Sequence, residues 1–203
     1  MELPGGLPMA DLGEDRDGLA LDRLHVPLGP VLPDWPAGLV VHVTLQGDVI
    51  QEAAAELLDS VRAESSWWTG HGAARELDAL ARFLGVTGWA DAAAQARRLR
   101  DADLAGGALD PSATAALVRR VRRSRTLRWL VRGIPAGATD VAGLLEQRLT
   151  AIELAAGKAV PRPGVDELAL LLVGAELGAA RAIVAAVDPD TEQASVHEGA
   201  QHG

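Results

Sequence analysis

The chain has 203 residues, of which 48% are hydrophobic, so its composition excludes a disordered protein and is sufficient for one domain with a buried core. It contains no cysteine, which excludes disulfides, iron–sulfur clusters, thiolate zinc sites and a cysteine nucleophile. The net charge of −9 argues against a general nucleic-acid-binding protein.

The two ends of the chain differ from its middle. Residues 1–22 are acidic and interrupted by proline and glycine, without the basic and apolar regions of a signal peptide, so we expect a cytoplasmic protein. We expect residues 1–18 to form a mobile N-terminal tail and residues 191–203 to form a disordered C-terminal tail. Residues 19–190 are expected to form a single α+β domain, with a β element at 19–55 and helices over 56–190.

The β element is predicted from alternation and turn residues. Alternating apolar positions predict a first strand over 19–26, after which the prolines and glycines of 27–38 forbid regular structure. The β-branched residues of 39–45 predict a second strand. Gly47 predicts a turn after it, and residues 49–53 are expected to form the returning strand. We therefore expect a small antiparallel sheet, with a hairpin at 39–53, packed on an Ala/Leu-rich helical bundle.

From residue 53 onward, apolar residues recur at helical spacing. Asp110 followed by Pro111 indicates a helix start, and Thr139 or Asp140 is expected to cap a later helix. The predicted helices span 53–65, 72–88, 89–103, 111–133, 141–154 and 165–187.

The last of these helices, 165–187, is the most apolar segment of the chain. Its charged residues make a membrane crossing costly, so a buried helix of a bundle is predicted instead. Gly174 and Gly178 have the spacing of residues that allow two helices to approach closely.

An arginine-rich segment at 119–132 is the main electrostatic feature of the sequence. It contains Arg119, Arg120, Arg122, Arg123, Arg125, Arg128 and Arg132, together with Trp129. These residues indicate a contact with an acidic protein, with anionic lipid headgroups or with nucleic acid, or a solvated face paired with the chain's own carboxylates. A protein partner or membrane surface is favoured over nucleic acid.

A different hypothesis places a small-molecule pocket between loop 27–38 and the helices, lined by Trp35, Trp67, Trp68 and His71. The five histidines have no metal-ligand spacing, and no phosphate-binding or nucleophile motif is present. The sequence therefore predicts no catalytic residue, metal or cofactor.

Residues 29–53, GPVLPDWPAGLVVHVTLQGDVIQEA, resemble the N-terminal signature of the quinone-site subunit of respiratory complex I, a relative of the nickel–iron hydrogenase large subunits. The family pattern is G-P-Q-H-P-x-x-H-G, a strand, and a hairpin of the form L-x-G-E-V. Gly29, Pro30 and Pro33 match it, as do Gly38-Leu39 after a one-residue insertion and Gly47-Asp48-Val49. Segments 75–94, 117–135 and 182–190 are similar in character to later helices of the family.

The departures from the family pattern bear on function. The two histidines that line the family's quinone site fall on Leu32 and Ala37, and the chain has neither the tyrosine that partners the quinone nor the cysteines of the hydrogenase cluster. The resemblance thus implies a shortened, non-catalytic accessory or scaffold subunit, associated with a membrane-bound NADH:quinone oxidoreductase-like or hydrogenase-like complex. It would be cytoplasmic, peripheral on the inner face of the membrane, and docked through 119–132.

Overall fold

The computed structural model describes residues 12–14, 20–58, 66–154 and 160–192. Within these ranges the chain begins with an antiparallel sheet of strand order β1-β2-β3-β4 and continues as seven helices and one short two-stranded hairpin. This confirms the predicted α+β class. The strands of the sheet are β1 Leu12–Glu14, β2 Ala20–Leu28, β3 Leu39–Gln46 and β4 Val49–Leu57.

The central strand β3 is buried along most of its length, including Val40 and Thr44 on its outer face. Its inner residues Leu39, Val41, Val43 and Leu45 are buried, whereas His42 between them is exposed, as its alternation with valines indicates. Gly47 takes a φ of 63° in the predicted turn between β3 and β4.

The predicted helix 53–65 is wrong over its first part, because β4 continues to Leu57. Ala53, Ala55 and Leu57 pair with residues of β3 and are half-buried, whereas Ala54 and Glu56 are exposed. Alanine and leucine are good helix formers, but helix propensity is a small energy per residue, and the backbone of β3 supplies hydrogen-bond partners that override it. The remainder, 59–65, lies outside the described residues.

Two helices begin where the sequence predicts a helix start. Asp110 accepts hydrogen bonds from the backbone N–H groups of Ser112 and Ala113, and Asp140 caps a later helix through Gly143, as predicted. The helices are α1 Gly72–Val86, α2 Ala90–Leu104, α3 Pro111–Arg123, α4 Arg125–Val131, α5 Val141–Glu153, α6 Val165–Leu172 and α7 Leu177–Val187, with β5 Pro135–Ala136 and β6 Thr139–Asp140 between α4 and α5.

The single helix predicted over 165–187 is two helices, because residues 173–176 leave the helix to pair with the β3–β4 hairpin. Gly174 N–H donates to Ile50 O at 2.8 Å, and Ile50 N–H donates to Ala175 O at 2.9 Å. Gly174 has a φ of 84°, and a Cβ at Gly174 or Gly178 would meet nothing within 4 Å. The close helix–helix contact expected at these glycines is therefore absent from the described structure.

Of the two predicted tails, only small parts are described. Leu12–Glu14 pairs with the start of β2, and the other residues of 1–18 lie outside the described ranges. Glu192 accepts a hydrogen bond from Trp67 N–H at 3.2 Å, whereas 193–203 lie outside the described residues.

Candidate partner-binding surface

The arginine-rich segment is not one helix but two, which meet at Ser124. This residue ends α3 and also caps α4, because its hydroxyl accepts a hydrogen bond from Leu127 N–H at 3.2 Å. The predicted continuous helix 111–133 is therefore wrong at this point. A serine before R-T-L is a recognised helix-start signal, and it is the feature of the sequence that could have revealed the break.

Two of the arginines are engaged by the chain's own carboxylates. Arg122 donates to Glu146 at 2.8 Å, to Glu153 at 2.6 Å and to the Thr150 hydroxyl at 3.2 Å. The hydrogen bond with Glu153, partly offset by burial, raises the pKa of Arg122. Arg120 pairs with Asp91 and lies 5.0 Å above the ring of Trp89. Arg120 and Arg122 therefore pair with the chain's own carboxylates, which is one of the alternatives that the sequence left open.

The remaining arginines are exposed and form no ion pair with any acidic residue in the described ranges. Among the described residues, the Arg128 side chain donates to the backbone oxygen of Arg122, at 2.9 Å, and to no other acceptor. Residues three and four apart lie on one side of a helix, so the arginines and the tryptophan of this segment lie on the same side of α4. We call Arg125, Arg128, Trp129 and Arg132 the α4 surface; Arg119 and Arg123 are exposed on α3 beside it.

The α4 surface exposes apolar as well as charged groups. Trp129 is 71% exposed and its neighbour Leu130 is 47% exposed, whereas Leu127 and Val131 anchor the opposite side of α4 in the core. Exposed aromatic side chains surrounded by arginine are typical of protein-binding surfaces. Within the predicted contact site 119–132, the exposed groups that could bind a partner thus lie on α4 and the adjacent end of α3.

A groove of about 340 Å³ runs along the flank of α4. It separates α4 from the turn that joins α1 to α2. We call it the Trp89 groove; its lining residues are Thr87, Gly88, Trp89, Ser124, Thr126, Leu127 and Leu130.

The four residues of the predicted small-molecule pocket occupy different environments. Trp35 is buried and its Nε1–H donates to Leu39 O at 2.8 Å. Trp67 is 72% exposed, and Nδ1 of His71 lies 3.6 Å from a carboxylate oxygen of Asp103. None of these residues, nor the half-buried Trp68, lines the Trp89 groove or either of two other cavities, of about 430 and 280 Å³, so these three cavities give the predicted pocket no support.

The proline loop 29–38 is held against the helices by polar contacts that the sequence did not reveal. Asp34 lies over Gly85 of α1 and pairs with Arg97 of α2, and the side chain of Arg181 donates to Pro33 O at 3.5 Å. Of the two positions that carry histidine in the resembled family, Leu32 packs against the core and Ala37 is exposed.

The outer face of the sheet carries a second polar cluster that the sequence analysis missed. His25 Nδ1 lies 3.1 Å from Thr44 Oγ1, which donates to Glu52 at 3.4 Å, and His42 Nε2 lies 3.0 Å from Glu56. His25, His42, Thr44 and Glu52 border an open cavity of about 430 Å³. Since His25, Thr44 and Glu52 occupy facing positions on three strands, they form cross-strand polar pairs around the buried Thr44.

A buried ionic cluster joins α1, α5, the segment before α6 and the end of α7. Glu76 contacts Arg148 at 3.2 Å and Arg162 at 3.0 Å, and Arg162 also contacts Asp188 at 2.8 Å. These four side chains are at most 6% exposed. The sequence did contain a signal for this cluster, since two charged residues lie on the apolar faces of predicted helices. Glu76 is four residues before Leu80, and Arg148 is four residues before Ile152.

Electrostatics within this cluster favour the ionised carboxylate. Burial alone would raise the pKa of Asp188, but the charges of Arg82, Arg148 and Arg162 outweigh it and hold that pKa below its ordinary value of 3.8. Arg148 shows the opposite balance, since burial lowers its pKa despite the nearby carboxylates. The cluster borders a cleft of about 280 Å³ through Arg162.

We expect Asp188→Asn to remove a stabilising contribution that depends on pH. Because the folded-state pKa is lowered, the carboxylate stabilises the fold above the unfolded-state pKa of about 4, and this stabilisation is lost as pH falls through the folded-state pKa. Urea unfolding from pH 7 to pH 3 should show a gap between wild type and variant that narrows below about pH 4. Asparagine tolerates the φ of 51° at this position, so backbone strain is not introduced.

The control is Asp48→Asn at the exposed hairpin turn, which is expected to change the free energy of unfolding by less than about 0.5 kcal/mol. A constant gap between wild type and Asp188→Asn over the whole pH range would contradict the assignment.

None of the helices in the described ranges has the length and apolar character that a membrane crossing requires. Among the same residues, no group of three or more histidine, aspartate and glutamate side chains is placed to hold a metal ion. Comparisons of the chain with protein-family models, with curated proteins and with solved structures found no match.

Proposed function

We propose that this chain is a non-catalytic accessory or scaffold subunit, related to the quinone-site subunit of complex I, that binds a membrane-bound oxidoreductase through the α4 surface. The observation that carries the proposal is the α4 surface itself. On a chain of net charge −9, three arginines without a carboxylate partner among the described residues surround a tryptophan that is 71% exposed. Such a surface is complementary to an acidic protein patch.

The proline loop supports the non-catalytic part of the proposal. Leu32 and Ala37 occupy the positions at which the resembled family has histidines, and neither side chain can carry a proton. Leu32 is instead packed against the core, where it contributes to folding. The loop therefore has a structural role, which is to connect β2 to β3.

The energetics of docking would be divided between two kinds of contact. Burial of Trp129 supplies most of the affinity, since exposed tryptophans at the centre of interfaces commonly contribute 2 kcal/mol or more, and about this much is expected here. Arg125, Arg128 and Arg132 orient the partner and accelerate its association, an effect that weakens as salt increases.

The test uses the tagged full chain expressed in its native host, with detergent-solubilised membranes separated on native gels. Wild type is expected to migrate with an NADH:quinone oxidoreductase or hydrogenase activity band. The triple variant Arg125→Ala/Arg128→Ala/Arg132→Ala is expected to lose at least tenfold of this association, which corresponds to about 1.4 kcal/mol.

The matched control is Arg98→Ala, since Arg98 is an exposed arginine on α2 without an ion pair in the described part of the chain. It should migrate as wild type does. Recovery of the wild-type chain solely as a free monomer would overturn the proposal.

A further inference from the structure

We propose that the open cavity on the outer face of the sheet binds a guanidinium group, carried by a small organic cation or by an arginine side chain of another protein. The cavity has a volume of about 430 Å³, within the range of small-ligand sites, and His25, His42 and Glu52 line it. These residues belong to β2, β3 and β4, and none lies on α4. The site is therefore independent of the α4 surface and of the function proposed for that surface.

The cavity arises because short side chains alternate with long ones on three neighbouring strands. His25 and Glu52 lie on either side of Thr44, and the next residue of β3 on the same face is His42. The positions that flank this histidine carry short side chains, those of Pro27 and Ala54. The long polar side chains therefore surround an open space that the short ones do not fill.

A β-bulge brings the carboxylate of Glu52 to this face. Leu45 pairs with Ile50, whereas Thr44 pairs with Glu52, so Gln51 is the extra residue of β4. Regular pairing would place Gln51 opposite Thr44 and would turn Glu52 to the other face of the sheet. The bulge therefore places a carboxylate beside the cavity where a neutral amide would otherwise lie.

The hydrogen bonds of this face determine which atoms remain free to accept. The Glu52 carboxylate can only accept, so the Thr44 hydroxyl donates to it, at 3.4 Å. That hydroxyl has a single hydrogen, so Nδ1–H of His25 donates to Thr44 Oγ1, at 3.1 Å, and the neutral ring keeps an acceptor at Nε2. By the same reasoning, Nε2–H of His42 donates to Glu56 at 3.0 Å, and Nδ1 is the remaining acceptor of that ring.

The charge at the cavity selects a cation with N–H donors. Glu52 forms no ion pair with a basic residue in the described ranges, and none of the described arginines lines the cavity. Arg23 lies on the same face of β2, two residues before His25, but outside the lining. An anion would meet the Glu52 carboxylate, whereas an N–H-bearing cation would meet this carboxylate and the two ring acceptors.

A guanidinium group suits this set of acceptors better than a metal ion or an ammonium group. Its N–H groups lie in one plane and point outward, so they can reach acceptors on neighbouring strands, which are about 4.8 Å apart. It is more weakly hydrated than an ammonium group, so its faces can lie against Pro27 and Ala54. A metal ion is disfavoured because no group of three or more suitable ligands exists among the described residues.

The test titrates butylguanidinium into the full chain and measures binding by isothermal titration calorimetry at constant salt. We expect saturable binding of butylguanidinium and none of butylurea, which has a similar shape but no charge. Binding should fall at least tenfold for Glu52→Gln, which removes the charge, and for Ala54→Leu, which fills the cavity while keeping the charge. Both substituted residues are exposed, and circular dichroism checks that each variant is folded.

The matched control is Asp48→Asn, which removes an exposed carboxylate of the same hairpin outside the cavity and should bind as wild type does. Wild-type affinity in either the Glu52→Gln or the Ala54→Leu variant would overturn the proposal. Equal binding of butylurea and butylguanidinium, or no saturation of the wild type up to about 10 mM, would do the same.

A second compound, N-acetyl-arginine amide, separates the two sources of the guanidinium group. Binding of this compound as tightly as butylguanidinium assigns the site to an arginine side chain of another protein, because the flanking peptide groups are then accommodated. Binding of butylguanidinium alone assigns the site to a small organic cation.

Discussion

Replacement of Glu76 by glutamine is expected to lower the free energy of unfolding by about 3–5 kcal/mol, the range for removing one partner of a buried ion pair. Glu76 is the carboxylate that both Arg148 and Arg162 contact, and it also accepts a hydrogen bond from Val160 N–H at 3.3 Å. Glutamine has nearly the same shape, so the change removes charge without creating a cavity. Two buried guanidinium groups would then be left with Asp188 as the one buried carboxylate that the described part of the chain places in this cluster.

Two comparisons make this prediction specific. Asp91→Asn breaks the ion pair with Arg120, but both partners are well exposed, so a change below about 1 kcal/mol is expected. The double variant Glu76→Gln/Arg148→Met should recover part of the lost stability, because it removes an uncompensated charge as well as its partner. Chemical denaturation followed by circular dichroism measures all three, and a Glu76→Gln effect no larger than that of Asp91→Asn would contradict the cluster's role.

Gly29→Ala is expected to destabilise the fold by about 3 kcal/mol or more, since it combines backbone strain with a steric clash. Gly29 has a φ of 95°, and a Cβ there would lie 2.3 Å from Leu39 O and 2.5 Å from Trp35 Nε1. These are the two atoms of the hydrogen bond that closes the proline loop onto β3. The methyl group would therefore displace Trp35 from the core as well as strain the turn.

The matched control is Gly70→Ala. Gly70 has a similar φ of 82°, but a Cβ there meets nothing within 4 Å, so only the cost of the left-handed conformation, about 1 kcal/mol, is expected. Thermal unfolding followed by circular dichroism measures the stability of both variants. Equal effects of the two substitutions would show that the close packing at Gly29 is not important.

Helix starts and tight turns are predictable from the sequence because they depend on residues that are close together in the chain. Asp110 before Pro111, and Asp140 before Val141, were recognisable as helix starts because an N-cap depends on residues within one turn. The hairpin turn at Gly47 was recognisable for the same reason. Ser124 carried an equally local signal that the strong helical pattern around it obscured.

Other features depended on distant parts of the chain. Strand β4 extends to Leu57, and residues 173–176 leave the helix, because β3 and Ile50 supply backbone hydrogen-bond partners there. The Trp89 groove exists only because α4 packs beside the turn after α1. None of these contacts joins residues close enough in sequence for a local pattern to predict them.

The sequence by itself determined the α+β class, the hairpin, the helix starts and the presence of an arginine-rich segment, since these follow from composition and from interactions within a turn or a strand. Only the tertiary structure decided which arginines are available. Arg122 is neutralised by Glu146 and Glu153 of α5, whereas Arg125 and Arg132 meet no described carboxylate. The physical reason is that charge compensation depends on distance in space, which a one-dimensional charge pattern does not contain.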